Sequence, residues 1–278
     1  MMSGPMDFGR TAATAETSAH VHAGHHADDA SGPTVSVVDL TGDISGEPDR
    51  RFILTGEKRT LRLASGHEVE AWTWNGQIPG PELRVKEGEL VEVTLVNRDI
   101  ERGVAAHWHG LDVPNAMDGV PGVTQDVVLP GETFTYRFRA EQTGTYWYHS
   151  HQVSREAVSR GLFGPLIIEP ADADPRELDI TVITHLWNGR LAIGDHDGLQ
   201  QRTIPAGTPV RLRLINTDDW VRQTFTLTGV PFQVAAIDGT DLNEPETLQD
   251  TELVLTTGGR YDVTFVMPDH PVMLRVAG

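Results

Sequence analysis

From Thr34 onward the chain alternates apolar and polar positions with a period of two. The clearest stretches are Leu90-Val91-Glu92-Val93-Thr94-Leu95-Val96 and Thr133-Phe134-Thr135-Tyr136-Arg137-Phe138. A period of two puts every second side chain on one face of an extended chain, so these stretches predict half-buried β-strands. Gly, Pro, Asn and Asp interrupt them at short intervals, as at Pro79-Gly80-Pro81 and Pro130-Gly131, and mark turns. No long segment carries a helical period, and Val153 to Arg160 predicts one or two helical turns. Many short strands separated by such turns predict an all-β fold of Greek-key β-sandwiches. Residues 1–33, rich in Ala, Gly, Ser, Thr and Asp with few large apolar side chains, predict a disordered tail.

The strand pattern occurs twice. Gly88–Asn97 (GELVEVTLVN) aligns with Gly207–Asn216 (GTPVRLRLIN), and Gly131–Phe138 (GETFTYRF) with Gly258–Phe265 (GGRYDVTF). Two copies predict two sandwich domains, 34–170 and 171–278, joined by the Pro- and Asp-rich stretch Glu169–Arg176 (EPADADPR). The first copy runs on through Gly161–Glu169 (GLFGPLIIE), whereas the second reaches Gly278 where that segment should begin. The second domain is therefore expected to lack its last strand, which leaves an unpaired sheet edge, and the chain is expected to be part of a longer protein.

Composition narrows the function classes. A length of 278 residues is ample for two cores. Lys and Arg number 22 against 40 Asp and Glu, a net charge of −18, which argues against nucleic acid or an anionic membrane surface as partner. There is no cysteine, so disulfides and thiolate metal sites are excluded. No apolar run approaches the roughly 20 residues of a transmembrane helix. The N-terminus shows no basic-then-apolar signal pattern.

The chemistry lies in two short histidine pairs, His107-Trp108-His109-Gly110 and His149-Ser150-His151. On a strand, positions i and i+2 share a face, so each pair aims two imidazoles one way and Trp108 or Ser150 the other. Neutral imidazole is a common ligand for copper, zinc and iron, and an all-imidazole site suits copper or zinc. Hydrogen-bonded core histidines without metal, or a tetrahedral zinc set, are the alternatives. The second copy keeps none of them: Thr226-Leu227-Thr228-Gly229 falls on the first pair, and Val276 and Gly278 fall on His149 and His151. His20, His22, His25 and His26 in the tail, with Met1, Met2 and Met6, read either as a copper-catching arm or, in preference, as a solvated linker. His67, His185, His196 and His270 have no paired spacing and read as structural or exposed.

The first pair followed by Leu111–Gln125 (LDVPNAMDGVPGVTQ), the run Gly144–His151 (GTYWYHSH) and the upstream Trp74–Pro81 (WNGQIPGP) together resemble the first domain of the multicopper oxidases, the laccase-like and copper-efflux oxidases. The resemblance extends over about residues 50–278 and implies two cupredoxin domains, the second a copper-free spacer. It implies copper as the cofactor, with His107 on a type 2 copper and His109, His149 and His151 on a type 3 pair. In the family these four histidines are half of a trinuclear cluster that reduces dioxygen to water. Four more histidines come from a last domain, whose His-Cys-His motif also holds the blue copper that delivers electrons. The implied partners are dioxygen and that third cupredoxin domain, supplied by missing sequence or by another chain. Lacking the cysteine and that domain, the chain is expected to be inactive alone. Asp118, in Met117–Gly122 (MDGVPG), falls where the family keeps an acid that relays protons, and a turn residue before Gly is an equal reading. Asp112 reads as a loop residue, and Trp108, Tyr146, Trp147 and Tyr148 as packing. The resemblance also implies an extracytoplasmic location, periplasmic or at the cell surface. A non-catalytic copper-binding protein and an inert fragment are the alternatives to an oxidase segment.

Overall fold

The period-two stretches become strands in a computed structural model that describes residues 35–278. The tail reading, with His20, His22, His25 and His26, lies outside the described residues. Eight strands build a first sandwich: β1 (Arg50–Arg62), β2 (Glu68–Trp74), β3 (Leu83–Lys86), β4 (Leu90–Asn97), β5 (His107–His109), β6 (Thr133–Arg139), β7 (Gly144–His149) and β8 (Phe163–Glu169). One sheet has the order β2-β1-β4-β6, the other β3-β8-β7-β5. In β4 the alternation works as the sequence implies: Val91, Val93 and Leu95 are buried, while Glu92, Thr94 and Val96 are only partly so. These side chains meet Trp108, Tyr148 and Ile168 of the facing sheet in one core. Each large apolar side chain so buried contributes about 1.5–3 kcal/mol.

The first strand begins only at Arg50, which corrects the expectation of strands from Thr34. Residues 37–39 form a short 3-10 turn instead. Val35, Val38 and Leu40 are exposed, so no core face draws this segment into a sheet. It is held across the loop after β5, where the Ala116 N–H donates to the Leu40 carbonyl at 3.1 Å.

The second sandwich comprises β9 (Leu178–Trp187), β10 (Arg190–Ile193), β11 (Pro209–Asn216), β12 (Gln223–Thr228), β13 (Phe232–Ile237), β14 (Thr240–Asp241), β15 (Thr247–Leu248), β16 (Glu252–Leu255), β17 (Arg260–Val266) and β18 (Met273–Ala277). Its sheets run β10-β9-β11-β17-β13-β14, with β15 beside β13, and β16-β12-β18. The internal repeat is visible in the pairing. Just as β4 lies parallel to β1 and antiparallel to β6, β11 lies parallel to β9 and antiparallel to β17. Likewise β12 and β18 take the places of β5 and β7. Their register differs by one residue from the sequence alignment. His107 stands opposite His149, but Thr226 stands opposite Arg275, so Arg275 and Ala277 replace Val276 and Gly278 as the equivalents of His149 and His151. The inward pair sets this register: Leu274 faces Leu227 as Tyr148 faces Trp108. Among the described residues β18 pairs with β12 alone, whereas β7 is flanked by β5 and β8.

A separate apolar cluster forms the seam between the sandwiches, with Trp147, Val158 and Phe163 packed on Ile183, Trp187 and Ile215. Beside it runs a chain of ion pairs. Arg84 bonds Glu169 at 2.7 Å and Asp179 at 3.0 Å, and Arg213 bonds Asp179, Asp262 and the Thr145 hydroxyl of β7. The predicted helical turns are α1 (Ser154–Arg160), which starts after left-handed Val153 (φ 43°) and stops at Gly161 (φ 116°). No helix among the described residues is long and apolar enough to cross a membrane.

Candidate metal centre

Antiparallel pairing of β5 with β7 joins the two histidine motifs, placing His107 opposite His149 and His109 opposite Trp147. Trp108 and Tyr148 fall on the core side with no exposed surface, so the alternate positions emerge into a cleft of about 340 Å³. The first pair rides on its strand as predicted. In the second, β7 ends at His149, and His151 lies just beyond the strand. The ring centroid of His107 is 5.4 Å from that of His149 and 5.1 Å from that of His151, and the His109 centroid is 5.6 Å from that of His149. One nitrogen each of His107, His109 and His149 lies within 4.8 Å of the others, close enough to share an ion. His151 stands beside this trio rather than within it.

Hydrogen bonds fix which nitrogens are free. His107 Nδ1 lies 2.9 Å from the Asp118 carbonyl oxygen and 3.2 Å from its Oδ1. The carbonyl can only accept, so Nδ1 carries the proton and Nε2 keeps the lone pair. His149 Nδ1 similarly donates to the Ser150 carbonyl at 3.2 Å, while its Nε2 lies 3.4 Å from His109 Nδ1. His151 Nδ1 is buried with no hydrogen-bond partner among the described residues. Trp147 stacks on His149 at 4.4 Å and lies tilted against His109 at 4.8 Å, so it packs on two imidazoles besides packing the seam.

The rings differ in proton affinity. Burial, then the charges of Arg260 and His107, lowers His109 to about 4. Burial, then His107 and His109, holds His149 well below the usual range, and burial and His107 lower His151. At His107 burial also pushes downward, but the hydrogen bonds and charge of Asp118 outweigh it and leave the ring above its ordinary value.

The second sandwich supplies the far wall: Thr217, Asp218, Asp219, Thr257 and Gly258. Asp219 pairs with Arg155 at 3.0 Å. Asp218 accepts the Leu186 N–H at 3.0 Å and lies 3.5 Å from His185 Nδ1. Burial raises the Asp218 carboxyl and lowers the His185 imidazole, so both groups are pushed toward their neutral forms. His185 is a seam residue against Phe163 and Trp187, as its unpaired spacing suggested. His67, His196 and His270 lie outside the cleft lining, and Asp112 pairs with Gln142 at 3.0 Å rather than facing the imidazoles. Sequence reasoning missed the whole far wall. Its residues sit in turns of the second copy and carry no metal-ligand spacing, so no local pattern marks them.

Four imidazoles, no thiolate, a lone-pair nitrogen set free by a carbonyl and a buried orphan nitrogen fit a transition-metal centre of the copper or zinc kind. Fold and cleft together therefore define a metal-binding protein of two cupredoxin-like sandwiches. The multicopper oxidase family profile matches residues 56–173. Copper resistance protein A of Pseudomonas syringae pv. tomato is 41% identical over 141 residues, 49% of this chain and 22% of its own length. Laccase-1 of Botryotinia fuckeliana is 31% identical over 252 residues, 80% of this chain and 44% of its own length. The chain thus spans less than half the length of these curated relatives. The blue copper oxidase from Nitrosomonas europaea superposes with a TM-score of 0.73 at 31% identity, covering 81% of this chain and 78% of that one. The chain belongs to the multicopper oxidase family, and membership implies copper as the metal.

Proposed function

We propose that this chain supplies half of a trinuclear, dioxygen-reducing copper cluster, with His107 serving the type 2 copper and His109, His149 and His151 the type 3 pair. Residues 34–170 and 171–278 are then its first two cupredoxin domains. The observation that carries the reading is the β5–β7 ladder, which sets the two His-X-His motifs side by side at one cleft. Copper bound there supplies the one-electron chemistry by which dioxygen is reduced to water. The chain's own residues bind and orient. The Asp118 carbonyl holds the His107 Nδ1 proton and so presents Nε2, while Trp147 stacks on His149 and packs against His109. Asp118 Oδ1, 3.2 Å from His107 and on a side chain 35% exposed, is placed to hold a proton between solvent and the cluster.

With no cysteine in the sequence, the blue copper and the remaining ligands belong to a third cupredoxin domain carrying His-Cys-His, with dioxygen as oxidant and an extracytoplasmic location. The missing thiolate also favours a second reading, a copper-binding protein without redox turnover. Adding a third domain with His-Cys-His separates the two. Blue colour and phenol oxidation should appear together, while the chain alone oxidises phenols no faster than free copper. Turnover by the chain alone that disappears in His107→Ala would overturn the half-cluster reading.

A further inference from the structure

β5 is only three residues long, so its ladder with β7 ends at His109 opposite Trp147. Past that end, where the register would set Gly110 opposite Tyr146, one side chain from the other sandwich packs against Gly110 and bonds the Thr145 carbonyl of β7. Arg260 of β17, 4% exposed, donates from Nε to the Thr145 carbonyl at 3.1 Å. Its Nη2 occupies the space beside Gly110, where a Cβ would collide with it, and Gly110 takes a left-handed φ of 84°. Nη1 donates to the Gly258 carbonyl at 3.2 Å and pairs with Asp238 at 3.2 Å. The same turn brings Gly258 against His109, so close that a Cβ on it would lie 3.0 Å from Cε1 of the ring.

We propose that Arg260 is a positioning residue for the copper motifs: its planar fork ties the Thr145 carbonyl of β7 to the Gly258 turn, packs against Gly110 and so fixes His109. The second sandwich is then a clamp on the site rather than a spacer. This inference rests on the reading that His107, His109, His149 and His151 hold copper. Charge and position make opposite predictions. A buried guanidinium repels a metal cation, so a residue acting by charge alone would strengthen copper binding when neutralised. A residue that positions His109 weakens binding when removed.

The test is titration of the chain with Cu(II), and with Co(II) for its ligand-field spectrum, in wild type, Arg260→Met, Arg260→Lys and His107→Ala. Arg260→Met should retain its cooperative thermal transition, bind Cu(II) about ten- to a hundredfold more weakly, and shift the Co(II) bands. Arg260→Lys, which keeps the charge and loses the fork, should also bind more weakly and carries the test alone if Arg260→Met does not fold. Gly110→Ala combined with Arg260→Met should cost less than the sum of the two, because both act at one contact. A folded Arg260→Met with equal or tighter copper binding and an unchanged Co(II) spectrum overturns the inference while leaving the metal reading intact. Wild-type uptake that is absent, or unaffected by His107→Ala, overturns the metal reading and this inference with it.

Discussion

Within one cleft, His107 is pushed up and His109, His149 and His151 down, and this has consequences for pH. An unfolded imidazole titrates near 6.5, so between that value and about 4 the unfolded chain binds the proton that folded His109 refuses. Stability of the metal-free chain therefore rises with pH across this window and is lost as pH falls. His107 acts in the opposite sense: its contribution is present below 6.5 and fades as pH rises through its raised folded value. His109→Gln, which cannot protonate, should lose less thermal stability between about pH 7 and pH 4.5 than wild type. The difference is on the order of 3 kcal/mol at most, and equal losses would remove the argument. Asp118→Asn should bring the His107 titration seen by NMR down toward 6.5 and weaken copper binding by about tenfold or more. That the two histidine pairs meet at one cleft was legible, because two residues apart on a strand share a face. The packing of Trp147 against both His109 and His149 was not legible, because a strand tryptophan reads as core packing until its neighbours are known.

At the scale of elements, the loop after β5 matters as much as the ligand strands. Gly119 has φ 72°, and a Cβ there would collide with the Ala106 carbonyl, immediately before His107. Gly119→Ala should cost on the order of 2 kcal/mol or more in denaturant unfolding. It should also return His107 toward its ordinary titration, because Asp118 moves with the loop. Strands such as β4, β6, β11 and β17 were readable because alternation is a local property that burial enforces directly. The register of β18 was not. Leu274 opposite Leu227 sets it, and the turn between β17 and β18 is free to absorb a one-residue difference that sequence alignment carried forward. The apolar residues of 35–40 misled for the reverse reason, since apolar side chains form a strand only where a facing core exists.

At the scale of the molecule, the two sandwiches share a third core and a partly buried ion-pair chain, and one cleft takes walls from both. The repeat announced the second sandwich, but no local pattern carried the contact between Gly258 and His109, more than a hundred residues apart in sequence. The account stands on the claim that the cleft imidazoles hold copper. Its most direct test is the copper content, after loading and desalting, of residues 35–278 as wild type and with His107, His109, His149 and His151 all replaced by Ala. The wild type should retain copper and the variant should retain none, with both folded by circular dichroism. Equal copper in the two would contradict the account.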